Sequence, residues 1–151
     1  MQHLKLKFIP TMEENMPEKR IVDKARQDLR EGKSPSTAAG EFVREEIHHI
    51  REGKHGARSP EQAIAIGLTE ARRAGIPLKA PNESKSGPGS RKSAERDYAK
   101  GQSDPKRHES TSTARSRART MAMMREPKNT VSRAALSRHA KSAAKRRSAS
   151  R

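Results

Sequence analysis

One stretch near the middle of the chain carries a complete set of signals for a short amphipathic helix. Ser59 can accept a hydrogen bond from a free N–H of the first turn, and Pro60 fits a position that needs no N–H. Small and apolar residues then recur at helical spacing, namely Ala63, Ile64, Gly67, Leu68 and Ala71. Gly75 can adopt the left-handed conformation that ends a helix, and Pro77 prevents continuation. The sequence therefore predicts a helix over about residues 60–74.

The same signals occur upstream and predict two more helices. The first covers about residues 17–31 and ends at Gly32, and the second opens at a Ser-Pro pair, covers residues 35–52 and ends at Gly53. The tetrapeptide REGK closes both helices ahead of a Ser-Pro start, but two copies are fewer than a repeat array requires. We therefore predict a small three-helix head over residues 16–79. Its second and third helices could also form a helix-turn-helix, although their connection is longer than the tight turn of that motif.

The predicted head is all-α and has little material for a large core. Apolar residues make up 30% and aromatic residues 2% of the chain, and low hydrophobicity with high net charge is typical of disorder. The expected core comprises the large apolar residues of the head: Ile21, Val22, Leu29, Phe42, Val43, Ile47, Ile50, Ile64, Leu68 and Ile76. Because so small a domain is marginally stable, formation of a homo-oligomer or binding of nucleic acid could complete this core.

Positive charge is concentrated in the second half of the chain. Residues 1–80 contain 15 Lys and Arg against 12 Asp and Glu, whereas residues 81–151 contain 19 against 6. Residues 80–112 are rich in Pro, Gly, Ser and Lys, which predicts a disordered linker. Residues 113–151 are predicted to form a largely disordered basic tail rich in Ala, Ser and Arg. One or two marginal helices are expected in this tail. A short one could form over residues 113–125, and one over about residues 130–147 is expected to become ordered when phosphates neutralise its charge.

The first residues differ in character from the rest of the chain. Leu4, Leu6 and Phe8 alternate with lysines, which is a weak strand-like pattern. We expect residues 1–15 to be disordered or to lie upstream of a true start at Met16.

The basic tail predicts a polyanionic partner. A flexible polycation favours nucleic acid over a membrane here, because the tail lacks the large apolar residues that membrane binding requires, and no apolar run could span a bilayer. We predict low-specificity DNA binding in the cytoplasm, at the bacterial nucleoid. The candidate contacts in the head flank the third helix and are Lys54, His55, Arg58, Arg72 and Arg73. Those in the tail are Arg115, Arg117, Arg119, Arg133, Arg138, Lys141, Lys145, Arg146 and Arg147.

Two alternatives to DNA binding remain open. The tail is compatible with an RNA-binding accessory protein, because disordered Arg-rich segments also contact RNA. The head could instead be a protein-interaction module that the tail tethers to nucleic acid.

Several catalytic and metal-binding motifs are absent from the sequence. The lack of Cys excludes disulfides and Cys-based zinc sites, and a Walker loop would need Gly where Gln27 stands. Glu45-x-x-His48 and Glu46-x-x-His49 resemble the ligand motif of di-iron bundles, but no second motif occurs on another helix. We therefore predict no metal site, no cofactor, no catalytic residue and no small-molecule substrate, and we expect these histidines to be solvated.

A long motif occupies much of residues 16–78 and reads GKSPSTAAGEFVREEIHHIREGKHGARSPEQAIAIGLTEARRAG. The tail adds a second segment, SRAALSRHAKSAAKRRSASR. Together they resemble a family of short, basic bacterial proteins known as a domain of unknown function with a Lys/Arg/Ala/Ser-rich tail. The resemblance implies relatedness to that family and assigns no catalytic residue.

Overall fold

A computed structural model describes residues 19–82, 87–103 and 113–149 of the chain. These residues form six helices and no strand, which confirms the all-α prediction. In chain order the helices are α1 (Lys19–Arg30), α2 (Pro35–Arg51), α3 (Pro60–Arg73), α4 (Pro88–Gln102), α5 (Thr113–Arg125) and α6 (Arg133–Ala149).

The three helices of the predicted head correspond to α1, α2 and α3. The predicted ranges 17–31, 35–52 and 60–74 differ from the observed boundaries by no more than two residues at each end. The predictions for residues 1–15 and for a start at Met16 lie outside the described residues. The predicted arrangement of a three-helix head and a largely disordered tail with one or two marginal helices is not matched, because three helices, α4, α5 and α6, follow the head.

Local capping explains where α2 and α3 begin and end. The Ser34 hydroxyl accepts a hydrogen bond from the Thr37 N–H at 3.2 Å, and the Ser59 hydroxyl accepts one from the Gln62 N–H at 3.3 Å. A proline occupies the first turn of both helices. The glycines that follow α1, α2 and α3 have the positive φ of a helix end, at 79° for Gly32, 80° for Gly53 and 88° for Gly75.

Helices α1, α2 and α3 surround the larger of two apolar cores. Its buried members are Ile21, Ala25, Ala38, Ala39, Phe42, Ala71 and Ile76. The partly buried Val22, Leu29 and Leu68 pack against it, whereas Val43 and Ile64 belong to neither core. Most of the buried members are alanines, which allow the helix backbones to approach closely. Where α2 crosses α3, Gly67 lies directly against the backbone of Val43.

Helix α4 packs on α3 through polar contacts and a close backbone approach. The Arg73 Nε donates a hydrogen bond to Asp97 Oδ1 at 2.8 Å, and Asp97 is buried. Gly101 lies so close to the Arg72 carbonyl that a side chain at this position would overlap it. Ala94 is buried on the same helix. These contacts hold α4 on α3 although it has few large apolar residues.

The prediction of a disordered linker over residues 80–112 is therefore wrong for α4. Its sequence contains the Pro, Gly and Ser that suggested a linker, but Pro88 occupies a first-turn position, where proline is compatible with a helix. The rest of the predicted linker lies partly outside the described residues.

The chain returns to the head through residues 123–131, which we call the docking segment. The Gly56 N–H donates a hydrogen bond to the Met123 carbonyl at 3.0 Å, and the Ala57 N–H donates one to the Pro127 carbonyl at 2.9 Å. A second apolar core lies beside these bonds and consists of Ile50, Ala57, Ala63 and Val131, with Ile47 packed against it.

Side chains extend the contact between the docking segment and the head. Arg51 donates from Nε and Nη2 to the Val131 carbonyl at 3.1 and 3.0 Å. The Thr130 hydroxyl donates to the Ala57 carbonyl at 2.8 Å, and Lys128 Nζ donates to the Gly53 carbonyl at 2.8 Å. The described part of the tail is thus helical and attached to the head, and α6 corresponds to the helix predicted over about 130–147.

Candidate nucleic-acid interface

Helix α6 packs on the head by one side and presents cations on the other. Its anchoring side includes His139, whose Nδ1 donates a hydrogen bond to Glu61 Oε1 of α3 at 2.8 Å, and the partly buried Leu136. Arg138, Lys141 and Lys145 are exposed, and their spacing of three and four residues places them on one face. On a helical projection that face lies away from Leu136 and His139. Helix α6 contains no acidic residue.

The remaining predicted contacts of α6 lie at its two ends. Arg133 opens the helix, and Arg146 and Arg147 occupy the last turn, where positive charge interacts favourably with the helix dipole. All three are exposed. They extend the positive charge along the full length of the helix.

Helix α5 adds a second group of exposed arginines. Arg115 and Arg119 are four residues apart and share a face, while Arg117 points to a different side of the helix. Residues 113–149 contain one acidic residue, Glu126, and its carboxylate lies 3.7 Å from Arg58 Nε of the head. The described part of the tail is therefore strongly cationic.

The head, in contrast, pairs many of its cations internally. Lys24 lies 3.6 Å from Glu41, Arg44 lies 2.8 Å from the same carboxylate group, and Lys33 lies 2.7 Å from Asp28. The cations of these pairs are exposed and the carboxylates of Asp28 and Glu41 are buried, and each pair offsets positive charge locally. Net positive charge among the described residues is consequently concentrated in α5 and α6.

Three backbone N–H groups of the loop before α3 already have hydrogen-bond partners within the chain. The N–H groups of Gly56 and Ala57 donate to carbonyls of the docking segment, and the Arg58 N–H donates to the Gln62 side chain. Of the side chains predicted there, Lys54 is exposed beside Glu52 at 3.3 Å, and Arg58 is exposed with Glu126 as its partner. These two cations can reach a ligand, although three backbone donors of the predicted anion site are already bonded within the chain.

The two arginines in the last turn of α3 have structural partners. Arg72 is buried, its Nε donates to the Leu78 carbonyl at 3.1 Å, and burial lowers the pKa of its guanidinium. Arg73 bonds Asp97 of α4, as described above. Both were predicted to contact nucleic acid, but Arg72 is buried because the chain beyond α3 folds back over it.

His55 lies in a different environment from the one the sequence predicted. Its Nε2 is 3.4 Å from Glu46 Oε2, and its ring centroid is 6.3 Å from that of His49 at an interplanar angle of 77°. The Glu46 carboxylate raises the pKa of the His55 imidazole. One donor atom each from Glu46, His49 and His55 lie within 4.8 Å of one another, which is a donor set suited to a transition-metal ion.

The two Glu-x-x-His pairs thus have different environments. His48 is exposed and lies 3.0 Å from Glu52, as expected for a solvated histidine. His49 is partly buried in the cluster, so the expectation of solvation is wrong for it. The sequence showed the Glu46–His49 pair but did not show that His55 completes the group.

Glu70 of α3 faces the same cluster. Burial raises the pKa of its carboxyl to about 7, and the negative charge of Glu46 acts in the same direction. His55, Arg119 and Arg73 oppose this rise. The charge of Glu70 therefore changes near neutral pH.

We predict that Glu70→Gln stabilises the protein at alkaline pH and not at acidic pH. The unfolded carboxyl ionises near its ordinary value of 4.5, whereas the folded carboxyl stays protonated up to about 7. The ionised form is thus disfavoured by folding, so stability falls as the pH rises from 4.5 to 7 and the full loss persists above 7. We expect the free energy of unfolding of the variant to exceed that of the wild type by about 2 kcal/mol at pH 8.

Urea denaturation at pH 4 and pH 8, with a chelator present, measures this difference. The matched control is Glu95→Gln, because Glu95 is exposed on α4 beside Arg91. We expect a change below about 0.5 kcal/mol for the control at both pH values. An equal effect of Glu70→Gln at pH 4 and pH 8 would show that the carboxyl does not change its charge on folding in this range.

None of the helices that the structure describes has the length and apolar composition needed to cross a membrane. No protein-family model matches the chain, and no curated protein or solved structure shows significant similarity to it.

Proposed function

We propose that the protein binds DNA with little sequence specificity through the exposed cations of α6 and α5. The observation that carries the proposal is the two-sided character of α6. One side is anchored to α3 by His139 and Glu61, and the opposite face presents Arg138, Lys141 and Lys145 with no carboxylate on the helix. A helix that is fixed in this way holds its cations in place before the ligand arrives.

The chemistry of this face favours phosphate contact over base readout. Arg and Lys neutralise phosphates and release counterions, which supplies most of non-specific DNA affinity. Arg138 and Lys145 are seven residues apart, so this face extends over about 10 Å of helix. The helix contains no Asn or Gln, the side chains that pair with adenine edges, so sequence discrimination should be weak.

The head acts in this proposal as a support that positions α5 and α6. Lys54 and Arg58 are exposed head cations close to the docking segment, and they add to the same field. Arg72 has no part in binding, because its guanidinium is buried against the Leu78 carbonyl.

We predict that a triple variant of α6, Arg138→Gln/Lys141→Gln/Lys145→Gln, binds duplex DNA about 10- to 100-fold more weakly than the wild type near physiological salt. The slope of log K against log salt is negative, and each lost phosphate contact makes it less steep by about 0.9. The slope of the triple variant should therefore be less negative by about 2 to 3. Fluorescence anisotropy with labelled duplexes of unrelated sequence, measured for the full chain over a salt series, gives both values.

The matched control removes the same charge from the head, with Arg26→Gln/Arg30→Gln/Lys79→Gln. All three residues are exposed and lie outside α5 and α6. We expect its salt slope to stay within about 0.5 of the wild type. If both triple variants lose affinity equally, binding depends on net charge alone and the proposed face is wrong. Tighter binding to single-stranded RNA than to duplex DNA would favour the RNA alternative.

A further inference from the structure

A partly buried cluster of Glu46, His49 and His55 lies between α2 and the α2–α3 loop, apart from the cationic face of α6. Glu46 and His49 are three residues apart on α2 and therefore share one side of the helix. His55 comes from the loop, which turns back toward α2 after the positive φ of Gly53. The nucleic-acid proposal gives this cluster no role.

Two polar atoms of the cluster are buried without a hydrogen bond. Glu46 is 2% exposed, and its Oε1 has no hydrogen-bond partner among the described residues. His49 Nε2 is also buried, and although Glu45 Oε1 lies 3.0 Å away within ion-pairing distance, no hydrogen bond forms between them. Because an unpaired buried carboxylate oxygen is costly, this position calls for a cationic partner.

We propose that Glu46, His49 and His55 bind a divalent transition-metal ion, and that the ion is Zn²⁺. Two imidazoles and one carboxylate are a donor set that zinc accepts, whereas Mg²⁺ and Ca²⁺ prefer oxygen donors alone. The proposal stands on side chains that the nucleic-acid interface does not use, so it holds or fails independently of that function.

The distances suit a zinc site after small side-chain movements. Donor atoms of a tetrahedral zinc site lie about 3.3 to 3.5 Å apart, as follows from Zn–N and Zn–O bonds of about 2.0 to 2.1 Å. His55 Nε2 and Glu46 Oε2 are already 3.4 Å apart, and the full set lies within 4.8 Å. Side-chain rotations that move the donor atoms of His49 and Glu46 by less than one bond length would bring all three donors to these distances.

The surroundings of His55 favour binding through one ring nitrogen. Its Nδ1 lies 3.3 Å from the Gly56 carbonyl, to which it can donate a hydrogen bond, and this orients Nε2 toward Glu46. A backbone carbonyl on the far nitrogen is the usual way in which proteins fix the tautomer of a metal-binding histidine.

Glu70 lies on the facing helix α3 and interacts electrostatically with this cluster. Its charge interacts with Glu46 and His55, and Arg119 of α5 and Arg73 of α3 face it as well. A divalent ion would also neutralise two buried carboxylates that otherwise repel each other.

Zinc at this position would join α2 to the loop that holds the docking segment. The loop residue after His55 is Gly56, whose N–H bonds the Met123 carbonyl. The ion would therefore be structural, and its removal should loosen both the loop and the docking segment.

Titration of the full chain with Co²⁺ tests the site, because tetrahedral Co²⁺ gives intense visible absorption and Zn²⁺ itself gives none. The protein is first dialysed against EDTA. We expect one equivalent of Co²⁺ to produce the tetrahedral bands, one equivalent of Zn²⁺ to remove them, and Zn²⁺ to raise the melting temperature.

Variants assign the site to the cluster. We expect His49→Ala and His55→Ala to lose the Co²⁺ bands, and Glu46→Gln, which keeps the side-chain shape, to weaken binding by at least about tenfold. His48→Ala is the control, since His48 is exposed one residue away, and it should bind as the wild type does. Circular dichroism identifies any variant that does not fold. If the histidine variants do not fold, the Co²⁺ affinity of Glu46→Gln tests whether the cluster binds the ion.

Two results would overturn the proposal. One is the absence of tetrahedral bands at stoichiometric Co²⁺ in the wild type. The other is Co²⁺ affinity that stays unchanged in folded Glu46→Gln, because the ion would then bind elsewhere in the chain.

Discussion

Replacing Gly67 with alanine is expected to lower the free energy of unfolding by about 3 kcal/mol, which is a large part of the stability of a small domain. A Cβ at this position would lie 2.6 Å from Val43 Cα and 2.8 Å from Val43 N. Both atoms belong to the backbone of α2, so no side-chain rotation can relieve the overlap. The two helices would have to move apart along their crossing, with loss of contacts in the larger core.

Gly40→Ala is a closely matched control for this substitution. Gly40 also lies inside a helix, α2, but a Cβ there meets no atom within 4 Å. Alanine is a better helix former than glycine, so we expect this variant to gain about 0.5 to 1 kcal/mol. Urea denaturation followed by circular dichroism measures both differences. A stabilised Gly67→Ala variant would mean that α2 and α3 do not cross at this distance.

The positions of α2 and α3 could be predicted because helix ends depend on local chemistry. Ser34 and Ser59 each act as a cap on a nearby N–H of the same turn, and the flanking proline and glycine act through their own backbone preferences. None of these effects needs information from distant parts of the chain.

Helix α4 could not be predicted in the same way because it depends on contacts with α3. Its sequence has few apolar residues, and its buried members include Ala94 and the charged Asp97. Asp97 is compensated by Arg73, which lies 24 residues earlier in the chain. Local composition therefore indicated a linker, whereas the tertiary ion pair and the close approach of Gly101 support a helix.

The apolar cores were predicted in part for a similar reason. The expected list contained large residues such as Phe42 and Ile50, which are indeed fully buried. It omitted alanines such as Ala39 and Ala71, which are buried because close helix crossings leave room only for small side chains. It also omitted Val131, whose burial depends on the docking segment returning across the chain.

The candidate metal cluster illustrates the limit of sequence motifs. Glu46 and His49 share a helix face by spacing, so that pair was visible, but His55 reaches it through a loop whose path the sequence does not specify. The same loop resembled an anion site because it combines glycines, cations and a helix start. Only the structure shows that the docking segment occupies its backbone donors.

The docking segment therefore links the two candidate sites of the protein. Along the chain it connects α5 to α6, the two helices that carry the cations proposed to bind DNA. Its backbone carbonyls accept hydrogen bonds from the loop that contributes His55 to the cluster. A substitution that releases the docking segment without changing any charge should therefore show whether DNA binding depends on the position of α6 or only on the charge of the tail.

Gly56→Ala is expected to release the docking segment. A Cβ on Gly56 would overlap the Glu126 carbonyl group and lie 2.6 Å from the Pro127 oxygen. The loop and the docking segment could then not keep the hydrogen bonds between their backbones. Gly56 does not require positive φ, so alanine suits its backbone and the cost comes from the lost contact. We expect a loss of about 2 to 4 kcal/mol in docking free energy, which raises the population of the released state by at least tenfold.

Limited trypsin digestion measures that population, because Arg125 and Lys128 lie at the docking segment and are exposed cleavage sites. Cleavage at these two residues should be at least about tenfold faster in Gly56→Ala than in the wild type, while hydrogen exchange in α2 stays slow. Gly89→Ala is the control, since a Cβ on Gly89 of α4 meets no atom within 4 Å. Equal cleavage rates in Gly56→Ala and the wild type would contradict the close packing of the docking segment on the loop. Faster cleavage together with weaker DNA binding would show that the DNA interface needs α6 held in place as well as its charge.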